Sequence, residues 1–181
     1  MKKIFFSISL IWLVSMVSAQ NRFFSRTGTI RFFSETPIEN IQAENRQVNC
    51  VIDTDKSEVA FSLLMKSFVF PNALMQEHFN ENYVESDKYP KAIFKGKFPE
   101  KIDLSRNGSQ TLHLTGELTL HNVTKTIQIP ANVEVKEGKL VANTRFEILP
   151  QDYRIEIPAL VRDKIAKQIT VNVSATCQPV K

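Results

Sequence analysis

The stretch Thr111-Leu112-His113-Leu114-Thr115-Gly116-Glu117-Leu118-Thr119-Leu120 decides the fold. Leu112, Leu114, Leu118 and Leu120 share one phase with Gly116, and Thr111, His113, Thr115, Glu117 and Thr119 hold the other. Successive side chains of a strand point to opposite faces, so this segment turns an apolar face to a core and a polar face to water. Coiled as a helix, it would spread its leucines around the whole circumference.

The same period of two recurs on both sides. Ile127, Ile129, Ala131, Val133 and Val135 make the next strand, and Leu140, Ala142, Thr144, Phe146 and Ile148 return beside it. Lys136-Glu137-Gly138-Lys139 is the turn between them, with Gly138 free to take positive φ. Ile169, Val171, Val173 and Ala175 share a face of a last strand running to Cys177. Before it, Ile155, Ile157 and Leu160 form a short irregular segment bounded by Pro150 and Pro158, which keep it out of a central ladder. Towards the N-terminus, strands are expected over Gly28 to Ser34, Ile41 to Ile52 and Val59 to Phe70, with Asp53 to Ser57 as a turn. Ala92, Phe94, Gly96 and Phe98 begin another, followed by a polar connection from Pro99 to Gly108.

One segment departs from this pattern. From Asn72 to Val84, Met75, Phe79 and Tyr83 recur every fourth residue with Leu74 beside them, and Glu77, Glu81 and Glu85 fall outside the stripe. The spacing predicts an amphipathic helix capped by Asn72 and laid across one end of the sheet. With about eight strands and short connections, a closed up-and-down antiparallel barrel and a two-sheet sandwich both fit. Strand length favours the barrel, and inward Gly96 and Gly116 would supply the bends it needs. An outer-membrane barrel would show lipid an unbroken apolar face, whereas one face here carries Lys, Glu, Thr and Asn.

The N-terminus reads as an export signal. Lys2 and Lys3 precede an apolar run from Ile4 to Val17, and Val17-Ser18-Ala19 offers small residues for cleavage, leaving a mature domain of residues 20–181. The run is short of the roughly twenty residues a membrane-spanning helix requires, so no stable membrane span is expected. The destination is a periplasm or the exterior. Lys2 and Lys3 supply two of the +4 formal charge, and the remaining bases are interspersed with acids, which argues against nucleic acid as a partner. Cys50 and Cys177 are the only cysteines, and both share parity with apolar neighbours. Whether they pair depends on their strands bringing the two Cα atoms within about 7 Å.

The landmarks His78-Phe79, Lys88-Tyr89-Pro90-Lys91-Ala92-Ile93-Phe94 and Gly116-Glu117-Leu118-Thr119-Leu120-His121-Asn122-Val123-Thr124-Lys125, in this order, resemble the YceI-like family of exported bacterial proteins. The likeness continues through Phe146 and Asp152-Tyr153-Arg154-Ile155. It implies an all-β, lipocalin-like, eight-stranded barrel holding a polyisoprenoid or similar lipid tail, with the helix near the mouth and no shared catalytic chemistry. The chain departs from the family in lacking an Arg-Asp pair before His78, in placing Asn122 after His121, and in a front end that reads as a small first hairpin.

Phe32, Phe61, Met65, Phe94, Phe98, Leu114, Leu118, Val133 and Phe146 are expected to line the lumen, with Met75, His78 and Phe79 on the inner side of the helix. His78 there would be either a headgroup anchor or a structural histidine bonded to a strand carbonyl. Lys125 would meet an anionic headgroup or simply water. His78, His113 and His121 are too dispersed for a metal site, and Glu117, Glu134 and Glu147 lie on the outward parity, so neither catalytic carboxylates nor a cofactor is expected. Burying a methylene is worth about 0.8 kcal/mol, so ten carbons gain roughly 8 kcal/mol, enough for micromolar binding without a charged anchor. The reading is a non-enzymatic carrier of a long-chain apolar lipid, with a homodimer left open. Its alternative is a barrel filled by its own side chains, acting as an interaction or structural module of the cell envelope and exposing apolar surface near Phe68, Phe70 and the helix end.

Overall fold

The computed structural model describes residues 21–180; the expected export signal lies outside them. Eight antiparallel strands close into a barrel in sequence order. They are β1 (Arg22–Glu35), β2 (Asn40–Asp53), β3 (Glu58–Leu64), β4 (Lys91–Lys97), β5 (Gly108–Leu120), β6 (Val123–Lys136), β7 (Lys139–Ile148) and β8 (Ile169–Pro179). Connections alternate between two ends. The turn after β1, the helical segment after β3, the turn after β5 and the long connection after β7 lie at the upper end. The turn after β2, residues 98–107, the β6–β7 turn and both termini of the described chain lie at the lower end.

The first hairpin is not small. β1 and β2 are 14 residues each, and β1 starts six residues before the expected Gly28. Its early part escapes a period-two reading because the β1–β2 register slips between Ser25 and Gly28 and again before Ile30. Phe23 and Ser25 are buried at odd positions, and Gly28, Ile30 and Ser34 at even ones. A bulge moves the buried set to the other parity, and the alternation looks broken where the strand is continuous.

β3 stops at Leu64, six residues before the expected Phe70, and Met65–Ser67 turn as a single 3₁₀ turn. Phe68 and Phe70 are buried beneath this end, while Val69 faces out and bridges Glu44. The expected helix is half regular: α1 covers Ala73–His78, and Phe79–Tyr83 widen into a π-turn, with Val84 N–H donating to Phe79 O. Asn72 caps it, accepting from the backbone N–H of Leu74 and Met75.

Gly96 and Gly116 face each other across β4 and β5. A Cβ on Gly116 would stand 2.3 Å from Lys95 O and 2.4 Å from Gly96 Cα, closer than atoms can pack. The two bare positions let the strands approach, and the Phe94 ring covers Gly96. Both left-handed hairpin turns follow the same economy. His121 (φ 50°) and Asn122 (φ 58°) join β5 to β6, and Glu137 (φ 50°) and Gly138 (φ 72°) join β6 to β7, the backbone of type I′ turns.

Candidate functional site: the lumen and its two ends

The inward phase of the eight strands builds one apolar interior in two layers. The lower layer holds Phe94, Phe98, Leu112, Leu114, Val133 and Leu140, closed from below by Ile102 and Leu104 of the 98–107 connection. That connection is therefore not merely polar. The upper layer holds Ile30, Met65, Phe68, Phe70, Val171 and Tyr153, with Phe32, Met75, Phe79 and Tyr83 packed on it. Phe61, Leu118 and Phe146 touch both layers.

Side chains fill the lower layer. Its enclosed free volume is about 10 Å³, lined by Phe61, Phe98, Leu112, Leu114, Ala131 and Val133 among others, room for a single water at most. The open tunnel expected of a carrier does not run through this half. Leucine and phenylalanine at facing positions of a narrow barrel close the space between them.

At the upper end four rings pack together. Phe32 stacks on Phe79 at 5.5 Å, and Phe68 and Phe70 meet Phe32 at 5.3 and 5.7 Å. The last two were missed as interior residues because Phe68-Val69-Phe70 reads apolar on both faces, which hides the direction of the turn. His78 does not join them. It lies on the solvent side of α1, exposed, because Met75 and Phe79 define the packed stripe and His78 falls a quarter-turn away. The exposed apolar residues at this end are instead Ile38, Leu64, Val69, Leu74 and Leu160.

The landmark polar residues converge beside the lumen. His121, its side chain 9 % exposed, sets Nδ1 3.0 Å from Tyr153 O and Nε2 2.9 Å from Glu85 Oε2. The hydrogen bond from His121 holds the Glu85 carboxyl below its usual range, assisted by Lys88. Tyr89 places its ring edge-on to His121 at 4.4 Å, and Lys125 pairs with Asp152 at 3.0 Å while both side chains stay accessible to solvent. Glu85 belongs to this cluster and does not lie on a free outer face. The group ties the helix end, the β5–β6 turn and the segment after β7 into one latch. Burial first, then Asp152, pushes the Tyr153 hydroxyl up.

Of the residues assigned to the lumen, Phe61, Phe94, Phe98, Leu114, Leu118, Val133 and Phe146 meet in or against the lower layer, and Phe32, Met65, Met75 and Phe79 in or against the upper. Among the described residues no helix is long and apolar enough to cross a membrane. Cys50 and Cys177 are fully buried free thiols with Sγ atoms 3.2 Å apart.

A family model described as the YceI-like domain matches residues 12–177. The chain belongs to the YceI-like family. Solved structures share the architecture at low identity. A polyisoprenoid binding domain from Saccharophagus degradans, implicated in plant cell wall breakdown, superposes with a TM-score of 0.76 at 15% identity, over 89% of this chain and 99% of that one. BcnA from Burkholderia cenocepacia gives 0.69 at 11% identity, over 83% and 95%. The YCEI protein of Campylobacter jejuni gives 0.58 at 16% identity, over 99% and 94%. No curated protein matches the chain. The barrel fold is thus common to proteins that share few residues with this chain.

Proposed function

We propose that this YceI-like protein binds a long apolar chain, polyisoprenoid or fatty-acid-like, inside its barrel and carries or sequesters it without chemistry after export to a periplasm or the exterior. The observation that carries this reading is the interior itself. It is predominantly apolar in both layers, and its middle rings, Phe61 and Phe146, remain half-buried with Leu118 between the layers. Met65, Met75, Phe32 and Phe79 at the upper end are unbranched or flat side chains that can re-pack to admit a chain. The relative described as a polyisoprenoid binding domain supports the same class of ligand. The second reading, a solid-core interaction module, is favoured by the nearly filled lower layer and by the exposed apolar residues at the upper end. Native mass spectrometry of protein purified from cells, followed by solvent extraction, separates the two. The carrier is expected to lose a bound mass of several hundred daltons. A bare protein that also fails to take up added cis-parinaric acid or a polyprenol leaves the interaction module standing.

A further inference from the structure

The β6–β7 ladder covers only part of its strands. It runs from Lys136 and Lys139 to Ala131 and Thr144, and stops there. Above that point, Val123–Pro130 pair only with β5, and Arg145–Ile148 only with β8. The wall of the barrel is therefore split over about four residues of β7, roughly 13 Å at strand rise. Ile127, Gln128, Ile129, Pro130, Arg145, Phe146 and Glu147 border the split, which forms a shallow depression open to solvent. Pro130 and Thr144 finish the ladder below it: the Thr144 hydroxyl donates to Pro130 O at 2.6 Å. The Lys125–Asp152 pair and the His121–Tyr153 bond lie at the upper end of the two strands.

The burial pattern marks the same place. Inward residues of the lower ladder, Leu112, Leu114, Ala131, Val133, Leu140 and Ala142, are no more than 6% exposed. Beside the split, Leu118, Ile127, Phe146 and Ile148 are only half-buried though they share the inward phase. The comparable break between β2 and β3 is stitched: fully buried Asn45 donates from Nδ2 to Leu64 O and accepts from Gln47 N–H, and Glu44 bridges Val69.

We propose that the apolar chain crosses the barrel wall sideways through this β6–β7 seam, with Ile127, Phe146 and Leu118 as its first contacts; this rests on the carrier reading. A slit lined by inward apolar side chains suits a single flexible hydrocarbon chain. A peptide strand suits it less, because β6 carries Pro130, without an N–H, on the free edge. The last ladder pair, Ala131 and Thr144, also borders the small cavity of the lower layer, so the seam ends beside the packed interior.

Gln128 and Glu147 would face each other outside the wall if the ladder continued, and both are exposed. In the double variant Gln128→Cys with Glu147→Cys, bridging the thiols with a bifunctional maleimide should slow uptake of cis-parinaric acid at least tenfold relative to the unbridged variant. A second measurement needs no bridge. Tryptophan placed at Phe146→Trp should be quenched by a brominated fatty acid before tryptophan placed at Phe79→Trp. Equal uptake by bridged and unbridged protein, or quenching at Phe79→Trp first, overturns the seam and leaves the carrier. Failure of the wild-type protein to bind either probe removes the carrier reading, and the seam with it.

Discussion

Gly116 shows how little room one position has. A methyl there would meet Lys95 O and Gly96 Cα well inside contact distance, so Gly116→Ala must push β4 from β5. The expected cost is about 2–3 kcal/mol in urea unfolding, while Gly108→Ala, with nothing within 4 Å of the added carbon, should leave stability unchanged. Both glycines are visible in the sequence, but only the pairing of Gly116 with Gly96 separates them. Glu85 works through charge. Its carboxyl is held low by His121 and faces Lys88 as well. A lowered value contributes stability above the ordinary carboxylate range and loses it as pH falls through the folded value. The protection of the Val84 and Ser86 amides against exchange, relative to an unfolded chain at the same pH, is therefore expected to fall between about pH 6 and about pH 3 more in the wild type than in Glu85→Gln. An equal fall in the two would remove Glu85 from the latch. The landmark run announces His121, but nothing in it names Glu85 or Asp152 as partners, because ion pairs across loops leave no periodic trace.

At the scale of elements, regular stretches were legible and irregular ones were not. The β5 leucines, the β6–β7 hairpin and the Asn72 cap stand where the alternation and the turn residues put them. The start of β1, the end of β3 and the π-turn of Phe79–Tyr83 do not, since a bulge or an extra residue per turn changes the phase that the reading depends on. Among the lumen residues, Phe94 and Val133 could be placed by parity alone, whereas His78 and the Phe68–Phe70 turn required the path of the backbone. The β6–β7 turn carries its own test. Glu137 sits at φ 50°, where a side chain other than Asn or Gly is strained. Glu137→Asn creates the preferred sequence for this turn and should stabilise the protein by about 0.5–1 kcal/mol, read from the urea midpoint. Its backbone N–H still donates to Asn107 Oδ1, so no bond is lost.

At the scale of the molecule, Cys50 and Cys177 join the second strand to the last across β1. They are 127 residues apart in sequence, and a bond between them would close a loop worth about 4–5 kcal/mol in the chain-entropy picture. The neighbouring Cys177 thiol and burial both push the Cys50 thiol up, so little thiolate is available for attack. The folded, reduced protein should resist iodoacetamide, and copper-catalysed oxidation should raise the unfolding midpoint without changing the fold; rapid alkylation in native buffer would refute that packing.

The upper breaks in the β2–β3 and β6–β7 ladders lie four strand interfaces apart in a ring of eight, hence on opposite sides. The lower half keeps the β6–β7 ladder, although Gly108–Leu114 pair with β6 and not with β4. The upper half is a pair of jaws, β3 to β6 facing β7 to β2, clasped by Asn45 on one flank and by the histidine latch on the other. Widening the jaws breaks those clasps, the Glu44–Val69 bridge and the contacts of Phe32 with Phe68, Phe70 and Phe79, and leaves the strand ladders whole. Deuterium uptake should accordingly be fast along the free edge of Arg145–Ile148 and slow throughout the Ala131–Lys136 ladder. The paired lower part of β6 and β7 would serve as the spring that returns the jaws to rest.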